Sequence, residues 1–318
     1  MKALATVFIG ILSIGTAYSA EPYPVRPIRM VVGFAPGGGT DLTARPVAQK
    51  LSELLGQQVI VENRPGAAGN IATEQVVKAP PDGYTLLMGT IAALAINPSL
   101  YGDLRFDPET DLAPVIQVVD ATNVLALHPS VPAGSVKELI ALAREKSLSA
   151  GSSGIGATGH LSIELFNLMA GVKLVHVPYK GGGPAMSDLV GGQVNLIFAT
   201  TASAIPHLRS GRIKGIAVTT AKRSALLPDL PTISESGLAG FDANNWYGLV
   251  VPAKTPRAII DQLNAEVTKV LNMPDVKTTL FNQGLDPAPG TPEQFGAYIR
   301  SERAKWAKVI KESGAKAE

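Results

Sequence analysis

The stretch VVGFAPGGGTD (31–41) constrains this chain most: an apolar run meets three glycines, then a capping pair and a helical pattern. A strand, a glycine loop and a helix start in that order make an α/β unit. Unpaired helix N–H groups and the positive end of the helix dipole converge at such a junction, which suits it to hold an anion. The alternation continues along the chain. IRMVVGF reads as a strand, DLTARPVAQKLSELLG as a helix, QQVIVENR as a strand and NIATEQVVKAP as a helix, which argues for parallel sheets covered by helices. Pro46 falls inside the first helical pattern, where a missing backbone hydrogen bond predicts a bend.

A second series follows. YTLLMGT reads as a strand, 112–127 as a long β-rich run, and SVKELIALAREKS as a helix opened by Ser135 with Glu138 three residues on. LSAGSS, KLVHVPY, VNLIFAT and IKGIAVTT are buried-strand candidates separated by helical segments. The stretches 115–127 and 246–251 read as crossings between two lobes, and two crossings make one lobe discontinuous. Residues 21–124 with 245–318 are expected to form the first lobe and 125–244 the second. Beyond the second crossing, AIIDQLNAEVTKVLN and TPEQFGAYIRSERAKWAKVIKESG carry apolar residues at three- and four-residue spacing, and their apolar faces should pack on the first lobe.

The first twenty residues, MKALATVFIGILSIGTAYSA, have one lysine, an apolar stretch and small residues at the end, the pattern of a secretory signal peptide cleaved after Ser19 or Ala20. No later segment offers eighteen apolar residues free of charges or breakers. The expected protein is therefore exported. A chain of 318 residues exceeds what one core usually supports, so two lobes are the expectation. Basic and acidic side chains number 28 and 26 with the signs interspersed, which makes nucleic acid and anionic membranes poor partners. The absence of cysteine excludes disulfides, thiolate nucleophiles and sulfur-ligated metals.

Four glycine-rich segments sit where strands end or helices begin: 35–41, 64–70, 151–160 and 179–188. Two helix N-termini in different lobes, at 35–41 and 151–160, would grip an anion from both sides of a cleft. One terminus stabilises a charge by about 0.3–1 kcal/mol, or up to about 2 when partly buried, whereas micromolar binding needs about 8 kcal/mol. Closure of the lobes must therefore add desolvated, charge-assisted hydrogen bonds. Thr40, Thr90, Thr158, Thr200 and Thr201 lie at loop or strand ends as hydroxyl donors.

Other anion chemistries fail on particular residues. Residues 154–159 match G-x-G-x-x-G, but the following strand reads VHVPY with no carboxylate before Asp188 to hold a ribose. No glycine loop is followed by the lysine and hydroxyl of a P-loop, and neither G-x-S-x-G nor S-x-x-K occurs. His128, His160, His176 and His207 show no helical metal-ligand pairing, and the acidic cluster Asp103, Asp107, Glu109 and Asp111 lacks the glycine and closing glutamate of a calcium loop. Aromatic residues make up only 5% of the chain, too few for sugar-stacking platforms. Of the possible ligands, small organic anions fit best.

The segments PIRMVVGFAPGGGTD (27–41), VENRPGAAGNIA (61–72), DGYTLLMGT (82–90), NPSLY (97–101), HVPYKGGGPAMSDLVGGQVNLIF (176–198), LPTISESG (230–237) and WYGLVVPAKTP (246–256) span almost the whole chain. In that order they resemble the substrate-binding proteins of tripartite tricarboxylate transporters, the Bug family of bacterial periplasmic receptors. The resemblance implies a two-lobed periplasmic binding protein fold of the second class that closes on its ligand, a monomer without cofactor, metal or catalysis, delivering its cargo to a membrane permease. It also implies that a ligand carboxylate is held by main-chain N–H groups and ordered waters. By position, the implied ligand contacts in the first lobe are Phe34, Gly38, Gly39, Thr40, Asp41, Thr90 and Ala92. In the second lobe they are Gly156, Thr158, Gly159, His160, Tyr179 and Ala199, with Lys180 as a rim charge.

The chain departs from the family pattern twice. Ile91-Ala92-Ala93 follows Thr90 where hydroxyls or histidine are common, and QVNLIFA replaces QVDLMFD, removing one acid that could meet an ammonium group. A carboxylate with an apolar or aromatic body is expected over an acidic amino acid. A secreted enzyme acting on a small carboxylate, or a ligand sensor for a membrane kinase, could use the same cleft. Thr, His and Asp within mutual reach would mark the enzyme, while N–H-lined loops without a base would mark the receptor.

Overall fold

A computed structural model describes residues 23–317, so the leader segment lies outside the described residues. The first elements are β1 (Ile28–Val32), α1 (Gly39–Leu55), β2 (Val59–Asn63), α2 (Asn70–Val77), β3 (Thr85–Thr90), α3 (Asn97–Leu100), α4 (Pro108–Asp111) and β4 (Leu112–Ala121). After the single residue Thr122 come β5 (Asn123–Leu127), α5 (Val136–Glu145), β6 (Ser149–Ser152), α6 (Thr158–Ala170), β7 (Val175–Pro178), α7 (Gly182–Val190), β8 (Leu196–Thr200), α8 (Thr201–Arg209) and β9 (Lys214–Val218). The remainder is β10 (Asn245–Pro252), α9 (Arg257–Asn272), α10 (Pro274–Asn282), β11 (Leu285–Pro287) and α11 (Pro292–Ser313).

The strands form two sheets, ordered β11-β4-β10-β3-β1-β2 and β7-β6-β8-β5-β9. Set aside β11 and the two orders are the same: β1, β2, β3, β10 and β4 of one sheet correspond to β6, β7, β8, β5 and β9 of the other. In each sheet three strands run parallel, and one strand from the opposite end of the series lies antiparallel beside the third. The sheets are thus mixed rather than parallel throughout, because β5 and β10 enter from the other sheet instead of through a βαβ crossover.

The chain passes from one sheet to the other at Thr122 and returns between Val218 and Asn245. The return therefore precedes 246–251, which lies wholly within β10. That strand is buried along its whole length between β3 and β4, as its continuous apolar run requires. KLVHVPY forms β7, but at the edge of its sheet, with Val175 and Pro178 exposed rather than buried. Pro46 sits inside α1 without ending it.

The C-terminal helices cover the first sheet. Thr291 opens α11 with a reciprocal cap: its hydroxyl accepts the Gln294 N–H at 3.2 Å and its own N–H is accepted by Gln294 Oε1 at 2.8 Å. The helix then buries Phe295 edge-on against Trp246, with ring centroids 5.5 Å apart. At the crossing, the fully buried Thr201 hydroxyl lies 3.0 Å from the Thr122 carbonyl and 2.8 Å from that of Gly284. Gly284 has φ +70°, and a Cβ there would collide with the Thr201 side chain. This contact ties the start of α8 in the second sheet to the segment leading into β11 in the first.

Candidate functional site

The equivalence of the sheets places α1 and α6 alike, each following the first strand of its series. Gly38 holds the N-cap position of α1 and Ala157 that of α6, and neither makes a side-chain cap hydrogen bond. Neither residue carries a side-chain acceptor, so the leading N–H groups stay free, those of Gly39 and Thr40 on one side and Thr158 and Gly159 on the other. The loop before each helix is held the same way. The Gly37 N–H donates to Asp41 Oδ2 at 3.1 Å, and the Gly156 N–H donates to His160 Nδ1 at 3.0 Å. Both glycines have positive φ, +80° and +85°, a conformation that favours glycine.

Between these loops lies a cavity of about 610 Å³, open solvent at its mouth included. Its backbone-rich wall comes from Gly38, Gly39, Thr40, Ala157, Thr158 and Gly159, with Gly182 at the start of α7 and Thr200 and Ser203 at the start of α8. Thr90, Ser152, Asn123, Asn245 and Tyr247 add polar side chains, and Phe34, Ala92, Ala185, Ile197, Phe198 and Ala199 add apolar surface. Among the described residues no Asp, Glu, Lys, Arg or His lines the cavity. Helix starts and neutral donors without a base can hold and orient an anion, but they are not equipped to move its protons.

The two sheets meet across this cavity. The Tyr101 hydroxyl donates to the Ile155 carbonyl at 3.0 Å, and a Cβ added to Gly39 of α1 would stand 2.9 Å from Thr200 Oγ1 at the end of β8. Tyr247 accepts a hydrogen bond from Asn245 Nδ2 at 3.1 Å, and burial pushes its phenol up to about 12 despite the contacts from Thr40 and Asn245. It stays a neutral hydroxyl.

Of the expected contacts, Phe34, Gly38, Gly39, Thr40, Thr90, Ala92, Thr158, Gly159 and Ala199 line this cavity. Asp41, Gly156, His160 and Tyr179 lie outside its lining. Asp41 is consumed by the loop: besides Gly37, Arg45 and Asn63 donate to its carboxylate at 2.8–2.9 Å. Burial raises its pKa, but these hydrogen bonds outweigh burial and leave it lowered. His160 stacks on His176 with centroids 4.2 Å apart and stands behind the loop that Gly156 begins. Burial, then the neighbouring imidazole, brings His160 down to about 3, and burial brings His176 down to about 4. Both rings are neutral at neutral pH, which leaves His160 Nδ1 free to accept from Gly156. Tyr179 and Lys180 line an adjoining groove behind Phe34, where the Tyr179 hydroxyl donates to Asp188 at 2.7 Å. Burial, then Asp188, pushes that phenol up to about 12. Thr201, a donor candidate, spends its hydroxyl at the crossing.

The sequence reading passed over Asn123, Asn245, Tyr247, Ser152 and Ser203. The one sequence signal for the first two is an amide interrupting an apolar run, in ATNVLAL and DANNWYGLVV, just where the chain changes sheets.

Two equivalent α/β halves enclosing a baseless, N–H-lined cavity define a two-lobed solute receptor. The chain belongs to the tripartite tricarboxylate transporter receptor family, TctC, whose profile it matches over residues 43–315. It is 38% identical to BugT of Bordetella pertussis over 99% of this chain and 98% of that one. Among solved structures it resembles an R. palustris protein with adipate at 40% identity and TM-score 0.90, covering 92% of this chain and 99% of the other. It likewise resembles MatC from Rhodopseudomonas palustris with bound malate at 32% identity and TM-score 0.87, covering 91% and 100%. The family consists of periplasmic solute-binding receptors, so this chain is a receptor and not an enzyme.

Proposed function

We propose that this receptor captures a small organic carboxylate between two lobes, one built on each sheet, and delivers it to the permease of a tripartite tricarboxylate-type transporter. The observation that carries the reading is the pair of uncapped helix starts, α1 and α6, lining one cavity from opposite sheets. The adipate and malate in the related structures support the ligand class. Gly38, Gly39, Thr40, Thr158 and Gly159 hold the carboxylate, and Thr90 and Thr200 add hydroxyls. Asp41, Gly156 and His160 keep the two loops in shape beneath it. Ala92 and Ala199 present methyl groups where polar side chains would favour an amino acid, so the body of the ligand is apolar or aromatic rather than that of aspartate. The 1–20 segment directs export and is removed.

Calorimetric titration against aliphatic, aromatic and hydroxylated carboxylates, with melting temperature and radius of gyration on the same samples, tests this. A ligand should raise the melting temperature by mass action and shrink the radius of gyration as the lobes close. Tight aspartate or citrate binding without response to apolar monocarboxylates would refute the apolar-body reading. No response to any carboxylate would refute the whole.

A further inference from the structure

The peptide unit joining Ile155 to Gly156, in the loop before α6, is held at both ends. Its N–H is spent within the second half of the chain, on His160 Nδ1 at 3.0 Å, while its carbonyl accepts the Tyr101 hydroxyl of the first half, also at 3.0 Å. The N–H and carbonyl of a trans peptide point in opposite directions, so His160, by fixing the one, aims the other at α3. Tyr101 is fixed as firmly. It ends α3, its N–H donates to the Asn97 carbonyl at 2.9 Å, and its ring packs in the same apolar cluster as Leu100 and Ile155. Gly156 seats against that helix: a Cβ there would overlap Asn97 Oδ1 and stand 3.1 Å from Leu100 Cδ2 and 3.2 Å from Tyr101 Cε2.

Among the described residues, this bond differs from the others that join residues 23–122 and 245–317 to residues 123–244. Those are made at the crossings, by Thr201 to Thr122 and Gly284 and by Asn244 to Asp120 and Tyr298. Bonds at a hinge persist as it turns, whereas Tyr101 and Ile155 are remote in sequence from both crossings. Their bond is lost once the loop draws away from α3, since a side-chain contact stretched to about 3.6 Å is no longer a hydrogen bond. Tyr101 is also absent from the cavity wall; it lines the adjoining groove with Ile155 and Lys180. Resting on the closure reading above, we propose that Tyr101 is a clasp: it holds the lobes shut through the Ile155 carbonyl, touches no part of the solute, and sets how long a bound solute stays. In the open receptor water serves both groups, so the clasp adds the net worth of one hydrogen bond to the closed state alone.

Tyr101→Phe tests this, since it removes the hydroxyl and keeps the ring. Calorimetric and stopped-flow titrations of both proteins use adipate, malate and 3-phenylpropionate, alongside melting temperatures of the free proteins and radius of gyration with and without each probe. Every probe that the wild type binds should be held about three- to tenfold less tightly by the variant, by the same factor for each. The loss should fall in the dissociation rate, with association within about twofold and the melting temperature of the free protein unchanged. Affinity within about twofold of the wild type, losses that differ between probes, a loss confined to association, or a free variant destabilised to match its loss of affinity would each overturn the clasp alone. A wild type that binds none of the probes, or binds without shrinking, would overturn the closure reading with it.

Discussion

Replacing Gly39 by alanine tests whether the cavity depends on the two sheets coming together. Gly39 is the first residue of α1, and its φ is not among the positive ones, so alanine adopts the same backbone without strain. Its Cβ would stand 2.7 Å from the Tyr247 hydroxyl, 2.9 Å from Thr200 Oγ1 and 3.1 Å from Thr200 Cγ2, where ordinary contact begins at 3.4 Å. The neighbours must therefore yield by about half an ångström on two sides. Tyr247 is a buried ring held by Asn245, so the readiest relief is for Thr200 to move away with its sheet, which opens the cavity. Overpacking of this kind costs about 1–3 kcal/mol; charged against closure, it weakens ligand binding about 5- to 150-fold. The helix itself does not suffer, since alanine is the better helix former by up to about 1 kcal/mol.

Gly38→Ala is the matched control. Its Cβ would meet the Ala35 carbonyl at 3.6 Å and the Gly182 nitrogen at 3.8 Å, both ordinary contacts. It leaves the approach of the two sheets intact, so its melting temperature should match that of the wild type and any loss of affinity should be smaller than in Gly39→Ala. Titration of both variants with the tightest carboxylate found for the wild type, alongside melting temperatures of the free proteins, separates a closing defect from a folding defect. Should Gly39→Ala bind within threefold of wild type, or Gly38→Ala prove the weaker of the two, the reasoning fails.

Two further outcomes follow. His160 and His176 lie at about 3 and about 4 in the fold against about 6.5 unfolded, so the unfolded chain binds more protons below that value. Their stabilisation is complete above about pH 6.5 and declines as pH falls, by about 2 kcal/mol for each ring by pH 5, offset in part by Glu164, whose carboxyl is raised by burial. The melting temperature should drop between pH 7 and 5 and drop less in His176→Gln; a flat profile in the wild type would contradict the assignment. Ala199→Asp puts a carboxylate into the cavity wall, so simple carboxylates should lose at least about tenfold in affinity while alanine or aspartate gains. Undiminished carboxylate binding in that variant would remove Ala199 from the site.

The loops were legible because local chemistry decides them: glycines after an apolar run, then a helical pattern, need no tertiary information to be read as a helix start. The paired latches were half legible. Asp41 and His160 could be placed near the anion from the resemblance, but only three dimensions show that each turns back on the glycine four residues earlier. β5 and β10 run antiparallel, and alternation alone cannot reveal that, because a buried antiparallel strand between two others carries the same continuous apolar pattern as a parallel one. The return crossing was placed at 246–251 for the same reason, whereas the change of sheet precedes Asn245. Asn123 escaped notice because one amide in an apolar run does not show which cavity it lines.

The Thr201 hydroxyl between Thr122 and Gly284 has a kinetic consequence for the closure proposed above. A rotation pinned at one point displaces each atom in proportion to its distance from the pin. Asn123 adjoins the pinned Thr122 in sequence, so in that closure it would travel least and meet an arriving solute first. Groups farther from Thr201 would travel more and come in afterwards. Groups near the pin then govern how fast the solute is recognised, and groups far from it govern how long it stays.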